Sequence, residues 1–198
     1  MQILWKDELS TKIKYLYAPD EAFEEYPNWQ KEFYLSYARA GAAFLNIFAT
    51  DPELLKEVNP ERIAKYHKLT NTELKEYRDR TMTNQNAWCI ASIPTASWAK
   101  KVYSDLSEEE AVEKLWKAIL KTVRVDREDP VAAWEEHKKN LEKRMEFLNS
   151  NRFQFLHYKN ELGTDLTIEL PPNHVWTGGA DFTQEGVAFI ANMPTEEV

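Results

Sequence analysis

The sequence holds a single cysteine, five glycines and no long apolar run in 198 residues. A lone Cys89 permits no internal disulfide and excludes a zinc cage built from cysteines, a usage suited to a reducing, cytosolic compartment. No window approaches the ~20 consecutive apolar residues of a membrane helix. Met1 to Leu9 carry one short apolar run and two acids, where a signal peptide has a basic start and a long apolar stretch. Positive charge is also short: 25 Lys and Arg stand against 33 Asp and Glu, a net charge of −8. Attachment to nucleic acid or to an anionic membrane by bulk charge is therefore excluded. Glycines are missing where a phosphate loop would need them; Gly178 and Gly179 fall between expected strands, which disfavours nucleotide binding.

What is present is ordinary globular material, 43% hydrophobic and 29% charged, so disorder is not the main state. Ile3, Leu4 and Trp5 suggest a short strand, and Leu9, Ile13, Leu16 and Tyr17 recur at helical spacing. Trp29, Phe33 and Tyr37 predict a helix near 29–40 that Gly41 ends. The nearly continuous apolar runs 42–49 and 87–93 suit strands covered on both faces. Between them, Asn59, Pro60 and Glu61 open a helix expected to reach Arg80. Strand, helix, strand is the βαβ unit, which implies a parallel sheet. Ser107 and Glu110 have capping-box spacing ahead of a wide apolar stripe ending at Val123. Asp129 and Pro130 start one more helix, which Asn149, Ser150 and Asn151 should break. From Arg152 the pattern has period two, through Phe153, Phe155 and His157, then Leu166, Ile168 and Leu170, then Val187, Phe189 and Ala191. The expected fold class is α/β, a parallel sheet flanked by helices, followed by a β-rich segment leading into a second domain. The division falls between residues 1–151 and 152–198.

Few residues advertise chemistry. His67 and His137 fall on the charged backs of helices and read as solvated; His157 and His174, in the β-rich segment, are better site candidates. Cys89, between Trp88 and Ile90, reads as a buried, inert thiol, and most tryptophans as core, with Trp176 able to line a cleft. Asp165, Asp181, Glu196 and Glu197 are acids that a sheet can hold together, and carboxylates at close range need a metal or a proton between them. Along an extended segment Glu196 and Glu197 point to opposite faces, so only one of them easily serves a given site.

The runs DREDPVAAWEEHKKNL (126–141), LHYKNELGTDLTIELPPNHVW (156–176) and FIANMPTEEV (189–198) together resemble the thermophilic aminopeptidase family, peptidase family M29. APDEAFEEYP (18–27) and SWAKKVYSDLSEEEAVEKLW (97–116) are similar too, so the likeness covers practically the whole chain. The resemblance implies a cytoplasmic metal-dependent aminopeptidase, a homodimer when intact, that hydrolyses the first peptide bond of peptides with a metal-activated water. It implies two divalent ions per site, with zinc, cobalt, manganese and magnesium not distinguished. Family members are about double this length, with a further segment ahead of Ile3 and a larger catalytic region after Val198. All but one of the family's metal ligands belong to that later region. The one carried over is the second glutamate of the TEEV motif, Glu197, with Glu196 the alternative if the register shifts by one. On this basis residues 152–198 begin a truncated catalytic domain, and the 198 residues alone should be inactive. The alternative is a non-catalytic α/β interaction or dimerisation module derived from the family.

Overall fold

Backbone hydrogen bonds on both edges of one short strand organise the computed structural model, which describes residues 1–196. In chain order come α1 (Glu8–Tyr17), a 3-10 turn (Asp20–Phe23), α2 (Asn28–Arg39), β1 (Phe44–Phe48), α3 (Pro60–Glu73), α4 (Lys75–Met82) and β2 (Trp88–Ser92). Then follow α5 (Ala96–Val102), α6 (Glu108–Thr122), α7 (Pro130–Asn151) and four short strands. These are β3 (Phe155–Lys159), β4 (Asp165–Glu169), β5 (Asp181–Phe182) and β6 (Ala188–Phe189). β1 and β2 pair in parallel, Phe44 opposite Trp88 through Phe48 opposite Ser92, as the βαβ reading requires. The other edge of β2 is taken by the end of the chain. Ile90 N–H donates to the Ala191 carbonyl at 2.8 Å, and Met193 N–H donates to the Ile90 carbonyl at 2.9 Å. That contact is also parallel. β3 with β4 and β5 with β6 form separate antiparallel pairs.

Helix starts fall where a side chain satisfies otherwise unpaired N–H groups: Asp7, Asn59, Thr95 and Asp129 each accept such a bond, and Ser107 with Glu110 completes the capping box. One cluster packs Tyr15, Phe23 and Val58 against Tyr66, and Arg62 of α3 closes it by donating to the Tyr15 and Ala18 carbonyls at 2.8 and 2.7 Å. A cation at the end of α1 also complements the helix dipole. A second cluster, Ala99, Ala111 and Leu115, joins α5 to α6. Asn86, 1% exposed, ties the end of α2 to the start of the sheet. Its amide donates to the Ala38 and Ala42 carbonyls at 3.0 and 2.9 Å, and its oxygen accepts from Arg80 at 3.2 Å.

Several expectations change. Ile3 to Trp5 is not a strand: Ile3 and Trp5 are exposed, and no described strand pairs with them. The helix expected from 60 to 80 is two, meeting at buried Leu74, where the Asn71 carbonyl accepts from Arg78 Nη2 at 2.8 Å. α5 was hidden by its seven-residue length. Asn149 to Asn151 lie inside α7, because Ser150 and Asn151 turn their side chains back to carbonyls of the preceding turn, at 2.6 and 2.7 Å. β1 is covered on one face only. Phe44 packs edge-on against Tyr77 at 4.9 Å, while Leu45 and Ile47, on the alternate face, are 65% and 58% exposed. Trp5, Trp29 and Trp116 are exposed as well, so core packing does not account for all the tryptophans.

Replacing Asn86 by Ala removes the amide donor from the half-buried Ala42 carbonyl and one of three donors from the buried Ala38 carbonyl, which should cost about 0.5–1.5 kcal/mol. Urea unfolding of the variant checks this, with an unchanged midpoint as the contrary result.

Candidate functional site

The carboxyl ends of β1, β2 and the 191–193 segment all lie at one edge of the sheet, because all three run in the same direction. Past Met193, Pro194 leads to Thr195, which is 5% exposed, and to Glu196. Two side chains meet the backbone and carboxylate delivered there. His137, on α7, is buried, and its Nε2 lies 2.6 Å from the Thr195 carbonyl. Arg124, just past α6, donates through Nη1 to Glu196 Oε1 at 2.7 Å and through Nη2 to Oε2 at 3.2 Å. Nη2 also lies 3.1 Å from His137 Nδ1. Since guanidinium only donates and a carbonyl only accepts, His137 carries its proton on Nε2 and accepts on Nδ1. The Arg124 hydrogen bonds hold the Glu196 carboxyl below the usual carboxylate range, with burial opposing them and the charges of Arg124 and Arg144 adding to the depression. Trp134 completes the wall: its indole N–H donates to the Val123 carbonyl at 2.8 Å, its ring meets His137 edge-on at 5.7 Å, and the guanidinium lies over it, also at 5.7 Å.

Arg124 reaches this position through its backbone. It sits at φ 60°, where Val125 N–H bonds the Leu120 carbonyl and Arg124 N–H bonds the Lys121 carbonyl, the Schellman arrangement that ends a helix. Glycine normally fills that place, and a branched or long residue there costs roughly 1–3 kcal/mol. Asn84 and Asn173 also have positive φ, but asparagine tolerates it.

The sequence reading of the histidines needs correction at His137, which is a buried hydrogen-bonded residue and not a solvated one. Its period on α7 also matched buried Leu141 four residues on, a signal that the surrounding charges concealed. His67 is exposed, as expected. His157 pairs with Asp165 across the β3–β4 hairpin at 2.6 Å, an exposed contact of small energetic weight. His174 donates to the Pro171 carbonyl at 2.9 Å. Asp181 accepts from the Phe182 N–H at 2.8 Å. Cys89 is half-buried, and burial pushes its thiol up, in keeping with an inert role. The Trp176 indole N–H is buried with no acceptor among the described residues. Glu197 lies outside the described residues. Among those described, no three His, Cys, Asp or Glu side chains gather closely enough to hold a metal ion, and both Glu196 oxygens face Arg124. The described residues do not make a metal centre by themselves.

Comparison with known proteins gives one consistent answer. The family model described as thermophilic metalloprotease (M29) matches residues 1–198. Aminopeptidase 2 of Geobacillus stearothermophilus is 46% identical over 98% of this chain and 47% of its own length. Aminopeptidase AmpS of Bacillus subtilis is 43% identical over the same shares. Among solved structures, wild-type AmpT from Thermus thermophilus superposes with a TM-score of 0.86 at 32% identity, covering 98% of this chain and 47% of that one. The chain spans about half the length of the curated relatives it matches.

The tautomer is directly measurable. Nitrogen-15 spectra should show His137 protonated on Nε2 at neutral pH, and a proton on Nδ1 instead would contradict the Arg124 contact.

Proposed function

The chain belongs to the thermophilic metalloprotease family M29, and from that premise we propose that it forms the first half of a metal-dependent aminopeptidase acting on peptides. Residues 1–151 are its α/β scaffold, and residues 152–198 lead into the catalytic domain. The proposed reaction adds water across the first peptide bond, releasing the N-terminal residue and a peptide shorter by one. A divalent ion in such a site lowers the pKa of water and polarises the scissile carbonyl, so no Ser or Cys nucleophile is needed.

The observation that carries this reading is the parallel alignment of residues 191–193 beside β2. It brings Thr195 and Glu196 to the carboxyl edge of the strands, the side on which open α/β sheets bind their ligands. Glu196 is engaged by Arg124, and successive side chains of an extended segment face opposite ways. Both points favour Glu197 as this chain's metal ligand. The other ligands of an ion pair then come from family sequence beyond this chain, and the 198 residues alone are inactive because one carboxylate cannot fix two cations. A cytoplasmic homodimer is the form in which we expect the whole enzyme to work. The lone cysteine supports the compartment, and the exposed Leu45 and Ile47 give a dimer or a further domain apolar surface to cover.

In the full-length protein, Glu197→Gln should lower metal content and peptidase activity together by well over about tenfold, more than the loss of an outer-shell partner alone. Glu196→Gln, which keeps one acceptor for Arg124, should cost less. Full metal content and activity in Glu197→Gln would reject the ligand assignment. A larger loss at Glu196 would move the ligand by one residue.

A further inference from the structure

Arg124 is at once a helix terminator and a side chain with four hydrogen-bond contacts, and the first role does not explain the second. Ending α6 asks only for a residue that tolerates positive φ, which glycine does with less strain. Arg152, at the end of α7, has positive φ as well, so backbone geometry alone does not mark a site. What distinguishes Arg124 is where its guanidinium goes. Nη1 bonds the Thr122 carbonyl at 3.1 Å and Glu196 Oε1 at 2.7 Å, while Nη2 bonds Glu196 Oε2 at 3.2 Å and His137 Nδ1 at 3.1 Å. The same imidazole takes the Thr195 carbonyl at 2.6 Å. Two helices therefore grip two consecutive residues, one through its backbone and one through its side chain.

We propose that Arg124 and His137 are positioning residues that clamp Thr195 and Glu196 and so fix the direction in which the next residue leaves the sheet. This inference rests on the reading of Glu197 as the functional carboxylate. The grip adds to a small number of backbone bonds among the described residues. Two backbone hydrogen bonds join Ala191–Met193 to β2, and β5–β6 ahead of it has only two residues in each strand. A short edge strand of that kind opens readily unless side chains secure it. Bidentate guanidinium–carboxylate geometry restrains angle as well as distance, which a lysine ammonium does not. Trp134 and the ring of His137 pack beside the guanidinium and keep it from swinging away.

Arg124→Gly in the full-length enzyme isolates the side chain, since glycine preserves the helix end. The melting temperature should stay at or above the parent's. In the metal-free protein, the Ile90 and Met193 amides should exchange about tenfold faster or more, because the segment opens locally. Peptide hydrolysis should lose on the order of 10- to 100-fold in kcat with KM little changed, the signature of a misplaced group in an intact site. Arg124→Lys should recover part of both losses. Combining Arg124→Gly with Glu196→Gln should add little to the exchange rates, because both break one lock.

Unchanged exchange and kcat in Arg124→Gly would overturn the clamp, and so would full recovery by Lys. If Glu197→Gln is inactive while Arg124→Gly is normal, the positioning claim falls and the ligand reading stands. If Glu197→Gln is fully active, the ligand reading falls and the clamp has nothing to position.

Discussion

β2 is five residues long, yet it is held on both sides: Ala87 and Ile93, flanking it, exchange backbone hydrogen bonds with Phe44 and Phe48 of β1, and Ile90 gives both its backbone groups to Ala191 and Met193. A strand buried in a parallel sheet must satisfy N–H and C=O groups on alternate edges, and a dry unpaired group costs more than a made bond returns. β1 takes one edge, 44 residues earlier in register, and the end of the chain takes the other, a hundred residues later, as Ile90 faces Asn46 and Asn192. Direction follows from pairing. Because both partners run parallel to β2, their carboxyl ends share one side, and Thr195 and Glu196 arrive there by topology before any side chain acts.

The helices serve that arrangement at a distance. Asn86 ends the approach to β2 and bonds the Ala38 and Ala42 carbonyls, so the strand cannot slide relative to α2 without breaking both bonds. α5 and α6 pack through Ala99, Ala111 and Leu115, small and medium side chains that bring the two helices close. The capping box at Ser107 fixes where α6 begins and the Schellman turn fixes where it ends. Arg124 is thereby placed to within a side chain's length of Glu196. The chain of causes runs from local capping to helix length to the position of a charge.

Much of this was legible in the residues. The two apolar runs, separated by Asn59–Pro60 and a helix, are sufficient for a parallel pair because a crossover of that kind admits no other hand or direction easily. The caps at Asn59, Ser107 and Asp129 were readable because they depend on single side chains at fixed offsets, while those at Asp7 and Thr95 were not read. Two of the misses show what a local pattern lacks. Ile3–Trp5 has strand composition, but a strand needs a partner, and no local pattern says whether one exists. His137 has a helix-back neighbourhood of Glu135, Glu136 and Lys138, yet its own direction on the helix is inward, decided by packing against Trp134 and the terminal segment 58 residues away. Periodicity sees charge at neighbouring positions and not the depth to which one ring is drawn.

The candidate site divides the same way. The TEEV motif and its likeness to a family were visible as words, and they named a carboxylate without its surroundings. Arg124 carries no such signal, because an arginine after a helix ordinarily reads as a solvated charge near a C-terminal dipole. Only the fold shows that its partner is Glu196, 72 residues further on, with a buried imidazole between the helix and the strand. A glutamate held by guanidinium has its charge compensated and its direction fixed, which suits a scaffold more than a ligand. On the function proposed above, the ligand role then falls to the next acid of the motif, Glu197. The two acids of one motif are alike in composition, and Arg124 marks Glu196 as the one whose charge is already engaged.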